Sequence, residues 1–229
     1  MVDRTDRMPP RKSSGGPIRN AERTRARILE KATRLFARKG FDGTSTAEIV
    51  AAARINKRML FYYFGDKKGL YREIFVAEWG SLKEEMDRAI AEQIASGLIT
   101  TSREGLVAVL GVLYDFMASH HDLLRLMMWE GLEGGAISRS IWKEVRGPLF
   151  HQAVTLIEQA KADGYLDPGL DPAQFIVTWL GAVTFYFAYA HTMTDMIGPH
   201  PHTAKAVLHR RAQLVAMQER LFRTHPSPG

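Results

Sequence analysis

Apolar residues recur at three- and four-residue spacings along most of the chain, and no useful run alternates at the period of two that a strand requires. The spacing predicts a first helix over Ala21–Lys39, with Ile28, Leu29, Ala32, Leu35 and Phe36 on one face and Gly40 as the residue that closes it. Thr44, Ser45 and Thr46 begin a short second helix, in which Ser45 and Glu48 can form a capping box and Ile49, Val50 and Ala53 face inward. Asn56 caps a third, Asn56–Tyr63, with Leu60 and Phe64 spaced to bury. Asp66 caps a long fourth helix from Lys67 to about Ile94, carrying Leu70, Ile74, Phe75, Trp79, Leu82, Met86 and Ile90.

The same period continues to the end. Ser102 is placed to cap Arg103–Ser119, and Asp122 to cap a helix ended by Gly131, Gly134 and Gly135. Ile137–Ala162 is a long apolar-periodic segment that Pro148 should kink or break. Asp171 followed by Pro172 reads as a cap and first-turn proline for a helix running to about Met193, apolar nearly all round and therefore buried on several sides. Thr203 caps a last amphipathic helix with Val207, Leu208, Leu214, Val215, Leu221 and Phe222. The fold class is all-α.

Charge divides this pattern into two parts. Residues 1–71 hold 17 Lys/Arg against 7 Asp/Glu, a net +10, while the remainder holds 14 against 18, a net −4. A basic head on a slightly acidic body suits a phosphate-binding domain joined to a separate second domain. The chain has no cysteine, which excludes disulfides and thiolate metal sites and permits a reducing cytoplasm. No apolar run follows the early arginines, so a signal peptide is not expected, and Phe175–Ala190 is short for a membrane span. There is no G-x-S-x-G, Walker A, G-x-G-x-x-G or H-E-x-x-H, so neither catalysis nor a cofactor is expected.

The third helix leaves Lys57, Arg58, Met59, Tyr62 and Tyr63 facing out. Two cations and two phenols on so short a helix suit the major groove of DNA, where cations reach phosphates and guanine edges. Lys67 and Lys68 oppose the dipole of the helix that Asp66 caps, as a nearby polyanion would explain. From Ile28, Leu29, Ala32, Leu35, Phe36, Gly40 and Phe41 through Thr44, Ser45, Ile49, Ala53, Ile55, Leu60, Tyr62, Phe64, Lys67 and Leu70, the chain resembles the DNA-binding domain of the TetR family of transcriptional regulators. The resemblance covers about the first third of the chain. It implies a three-helix helix-turn-helix domain over 21–66 and a larger helical effector-binding and dimerisation domain over 67–229, preceded by a disordered basic arm over 1–20. It also implies a DNA face of Thr44, Ser45, Thr46, Lys57, Arg58, Met59, Phe61, Tyr62, Tyr63 and Lys67, with Thr46 on a phosphate. Arg23, Arg25 and Arg27 would lie near the DNA backbone. Departures from the family pattern are Arg54 at a turn position usually held by glycine, Phe61 in place of tyrosine, Tyr63 where histidine is common, and Arg58 where a small residue is frequent.

Helical bodies of this kind can enclose an apolar pocket, and the body is crowded with aromatics and methionines. The candidate pocket residues are Tyr114, Met117, His121, Met128, Trp129, Trp142, Phe150, Trp179 and Tyr186. Gly181, Phe187 and Ala190, with Leu208, Ala212, Val215 and Phe222 of the last helix, form a candidate homodimer interface. The expected function is a cytoplasmic repressor, released from a palindromic double-stranded DNA operator by a small apolar or amphipathic effector. The alternatives are a regulator without a small-molecule ligand, constitutive or answering to a protein partner, and a metal-responsive one using His191 and Asp195.

Overall fold

Local capping chemistry sets the boundaries of the first four helices. A computed structural model describes residues 17–220. The elements are α1 (Pro17–Lys39), α2 (Thr46–Ala53), α3 (Lys57–Phe64), α4 (Lys67–Ala95), α5 (Arg103–Ser119), α6 (His121–Leu132), α7 (Ala136–Ser140), a π-helical turn (Trp142–Arg146), α8 (Gly147–Ala162), α9 (Pro172–Ala188), α10 (Ala190–Ile197) and α11 (Ala204–Glu219). Ser45 Oγ accepts from the Glu48 amide at 3.2 Å, and the Glu48 carboxylate accepts from the Ser45 amide at 2.8 Å, which closes the capping box. Asn56 and Asp66 cap α3 and α4 by accepting from the amides of Met59 and Gly69. A Cβ on Gly69 would lie 2.2 Å from the Phe64 carbonyl oxygen, so the tight passage from α3 into α4 needs glycine there.

The head is α1–α3 closed by the start of α4. Ile28, Ala32, Phe36, Ile49, Ala53, Leu60, Leu70 and Phe75 are completely buried in it. Each large side chain among them contributes roughly 1.5–3 kcal/mol of burial. The body packs α5 on α4, α6 and α9, and places the π turn and α8 over α4 and α9. Head and body share α4, and α6 also packs on α1. Arg125 Nε and Trp129 Nε1 both donate to the carbonyl of Ala37 on α1, at 2.8 and 3.3 Å.

Three local expectations need correcting, and the break expected at Pro148 is observed. Pro17–Asn20 form the first turn of α1 instead of belonging to an arm, and residues 1–16 lie outside the described residues. Asp122 sits in the first turn of α6, whose cap is His120 without a side-chain bond. The segment around Pro148 becomes three pieces, α7, the π turn and α8, with Pro148 in the first turn of α8, where its missing N–H costs nothing. The long penultimate helix stops at Ala188, and His191 and Asp195 lie on the separate α10. Among the described residues no helix is long and apolar enough to cross a membrane.

The α2–α3 turn is made by Arg54 itself, at φ 51° and ψ 52°. Among the described residues it is the one non-glycine with positive φ. Left-handed backbone costs an L-residue with a Cβ on the order of 1–2 kcal/mol, and the cost is met here because the Arg54 amide donates to Ala51 and Val50 carbonyls. Arg54→Gly should therefore stabilise the protein by ~1 kcal/mol, raising Tm by about 2–4 °C in a thermal melt.

Candidate nucleic-acid interface and interior cavity

α3 is eight residues long and buries only Leu60 and Phe64. The remaining surface is unusual for so short an element. Lys57 and Arg58 are exposed, Tyr62 is 82 % exposed and Phe61 39 %. Lys57 Nζ lies 5.7 Å from the Phe61 ring centroid. Met59 is half-buried, and so is Tyr63, which packs against the core. Ser45 is exposed at the start of α2 with Thr46 half-buried beside it. Its partner Glu48 is held down to about 2 by the Lys39 ammonium and the bonds from Ser45, so the box is intact at neutral pH.

Two residues expected on the DNA face are used inside the protein. Thr44 is completely buried and donates its hydroxyl to the Gly40 carbonyl at 2.9 Å. Lys67 Nζ donates to the carbonyls of Phe41 at 2.9 Å and Thr44 at 3.0 Å, and lies 4.1 Å from the Phe41 ring centroid. Two of its three N–H donors therefore clamp the α1–α2 loop, while the half-buried side chain keeps a third. Arg25 pairs with Glu73 and Arg27 Nε donates to the Ala53 carbonyl at 3.0 Å, so these arginines also hold the head together, while Arg23 is exposed.

The body contains an apolar cavity of about 90 Å³ between α4, α5, the π turn, α8 and α9. Its wall is Trp79, Leu82 and Met86 of α4, Leu113 of α5, Trp142 and Arg146 of the π turn, Leu149, Phe150 and Ala153 of α8, and Ile176 and Leu180 of α9. A second space of about 40 Å³ shares Met86, Leu113, Ala153 and Ile176 with it and reaches Trp179. Of the residues expected to line a pocket, Trp142, Phe150 and Trp179 come together here. The others are elsewhere for identifiable reasons. Trp129 turns its indole to the head, Met117 is completely buried core, and Tyr114 donates its hydroxyl to the Val207 carbonyl at 2.8 Å, joining α5 to α11. Met128 is 37 % exposed, and Tyr186 stacks under the Arg210 guanidinium beside α11. His121 lines a separate polar cleft of about 480 Å³ between α1 and the body, which also contains Glu30, Glu78 and His120. Burial raises the Glu78 carboxyl above the ordinary range, partly opposed by His120. The α4 wall and Arg146 were missed. The one available signal was a lone arginine inside an otherwise apolar run from Val145 to Phe150.

On the far side of α9, Val177, Gly181, Phe185 and Tyr189 form an exposed face, with Phe185 and Tyr189 stacked at 4.6 Å. Leu208 and Ala212 of α11 are exposed as well, Leu208 by 68 %. Val215 is half-buried. Phe187 and Ala190, expected in the interface, are 3 % and 5 % exposed and point into the monomer core. Phe222 lies outside the described residues. Among the described residues no three His, Asp or Glu side chains converge as metal ligands, and the side chain of His191 is not described.

A capped helix-turn-helix with an exposed cationic second helix, carried on an all-helical body, defines a DNA-binding transcriptional regulator. Residues 28–74 match the family model of bacterial regulatory proteins of the tetR family, and residues 103–217 match the tetracyclin repressor-like C-terminal domain. The chain belongs to the TetR family, whose members regulate transcription and bind DNA as dimers. It is 34 % identical over 117 residues to the HTH-type transcriptional repressor SCO4008 of Streptomyces coelicolor, a match covering 51 % of this chain and 54 % of that protein. The chain thus spans about half the length of that relative. It is 22 % identical over 188 residues to the HTH-type transcriptional repressor NicS of Pseudomonas putida, covering 81 % and 86 % of the two chains. The ketosteroid transcriptional regulator KstR2 of Mycobacterium tuberculosis superposes with a TM-score of 0.67 at 18 % identity, over 88 % of this chain and 95 % of the other, which shows the shared fold.

The different engagement of these cations makes separable predictions. Lys57→Ala and Arg58→Ala should each lower the salt dependence of DNA binding by about one phosphate contact, with stability changed by less than about 0.5 kcal/mol. Lys67→Met should instead lower stability by about 1–2 kcal/mol by stripping two carbonyls of their donor, and leave the salt slope unchanged. Binding titrations across a salt series, beside thermal melts, distinguish the two.

Proposed function

We propose that this protein is a cytoplasmic repressor that holds an inverted-repeat operator as a two-fold homodimer and lets go when a small molecule fills the body cavity. The observation that carries this reading is the shared use of α4. Trp79, Leu82 and Met86 wall the cavity, while Lys67 and Leu70 of the same helix belong to the head. A molecule that widens the cavity pushes on α4, and α4 carries the head with it. The shift requires the molecule to bind one arrangement better than the other. Ion pairs connect the same parts: Arg25 of α1 with Glu73 of α4, and Arg72 of α4 with Glu144 of the π turn.

The exposed α9 face, with Leu208 and Ala212, is the proposed dimer seam. Contiguous apolar surface of this kind is characteristic of interaction sites. A two-fold axis there would present two copies of α3 to successive major grooves roughly 34 Å apart. The DNA contacts in this reading come from Thr46, Lys57, Arg58, Tyr62 and Tyr63, with Ser45 and Met59 close by.

Retention of fragmented genomic DNA on the purified protein, followed by sequencing, tests the proposal. An enriched inverted repeat whose affinity falls steeply with salt is expected, and uniform weak retention without an enriched sequence would overturn it. Phe185→Glu should convert the dimer to monomer in analytical ultracentrifugation and weaken operator binding by more than about tenfold, since a charge would be forced into the seam.

A further inference from the structure

Among the described residues Arg146 is the one cation in the wall of the apolar cavity, and it is half-buried. Its guanidinium lies 5.2 Å from the Trp79 ring centroid and 5.9 Å from that of Trp142. No described carboxylate forms a salt bridge with it. Burial works against its charge, and the field of Glu130 opposes that effect from a distance. Glu130 is itself committed, its carboxylate accepting from the amides of Ile137 and Ser138 at 2.7 and 3.1 Å.

The backbone that delivers Arg146 is irregular in a way that favours a site. Trp142–Arg146 is a π turn, closed by the Gly147 amide donating to the Trp142 carbonyl. Such turns concentrate where function needs a side chain re-aimed. A second group in the adjoining space is the indole N–H of Trp179, which is 6 % exposed and has no hydrogen-bond partner among the described residues.

We propose that the effector is a small apolar carboxylic acid, its carboxylate paired with Arg146 and its apolar body seated between α4, α5 and α8. This rests on the cavity being the effector site. The guanidinium fork matches a carboxylate bidentately. A neutral molecule of the same shape would strip the remaining water from Arg146 and return no counter-charge, which is the costly way to bury an ion. A cationic molecule would meet like charge. Size points the same way. A dry cavity of about 150 Å³ accepts benzene, so the roughly 90 Å³ here takes a single ring or a short chain once its walls have moved apart. That movement is what displaces Trp79, Leu82 and Met86, and with them α4.

Three of the four tryptophans, Trp79, Trp142 and Trp179, line the connected spaces, so intrinsic fluorescence reports occupancy directly. The full-length protein is titrated with benzoate, phenylacetate and octanoate, and in parallel with benzamide, phenylacetamide and octanamide, with calorimetry as a second readout. At least one acid is expected to bind more than about tenfold tighter than its amide. Arg146→Met, which keeps the apolar bulk, should erase that preference, and Arg146→Lys should restore part of it. Circular dichroism of both variants checks that they fold as the parent does. Amides binding as tightly as their acids in every pair that binds, or a preference that survives Arg146→Met, overturns the charge assignment and leaves the cavity as an effector site. Entry of neither acid nor amide overturns both.

Discussion

The Lys67 ammonium is the contact on which the rest of the arrangement depends. It sits between two loop carbonyls and the face of Phe41, and it fixes the first turn of α4 to the loop that launches α2. Without that clamp the start of α4 would be tied to the head by apolar contact and the exposed Arg25–Glu73 pair alone. With it, head and α4 turn together. α4 has 29 residues, roughly 43 Å at the usual rise, so in the proposed mechanism its cavity-lining stretch acts as a lever on the head.

Magnitudes decide which contacts can transmit a signal. The Arg25–Glu73 and Arg72–Glu144 pairs are all at least 32 % exposed at the side chain, and pairs of that kind are worth about 0–1 kcal/mol each. They bias the orientation of α4 and cannot enforce it. The apolar wall is a stiffer element, because Leu82 and Met86 are close-packed on the side away from the cavity and a molecule larger than its roughly 90 Å³ must displace them. Trp129 and Arg125 add a second joint by gripping the Ala37 carbonyl at the end of α1. The head is therefore held at two points, one through α4 and one through α6, and a shift of α4 alone rotates it about the second.

How much of this was legible in the chain depended on how local each interaction is. Ser45 with Glu48, Asn56 with Met59, and Asp66 with Gly69 are bonds across three residues, and each helix start they mark was readable directly. The exposed cations of α3 were equally plain, because two buried positions on an eight-residue helix determine the rest. Thr44 and Lys67 misled for the opposite reason. Polar side chains near a basic surface read as DNA contacts, yet Lys67 bonds to a carbonyl 26 residues away, and Thr44, though its partner Gly40 is only four residues back, is sealed by burial that the local pattern does not show. The same holds for the body. An aromatic at helical spacing is core, cavity or joint according to its neighbours in space, which is why Trp129 and Trp142 looked alike. The break at Tyr189 was hidden by uninterrupted apolar sequence, with neither glycine nor proline to announce it. Arg54, standing where glycine is usual, takes the left-handed conformation itself.

The π turn carries one further consequence. A hydrogen-bonded loop that spans five residues instead of four holds a spare residue between Ile141 and Gly147 without disturbing the helices on either side. Removing that residue would let the segment relax into ordinary α-helix and swing every side chain upstream of the deletion by about 100° relative to α8. Insertion or deletion of a single residue there would therefore exchange, in one step, the set of side chains that faces the cavity. The bulge is an adjustable joint, placed in the wall of the cavity.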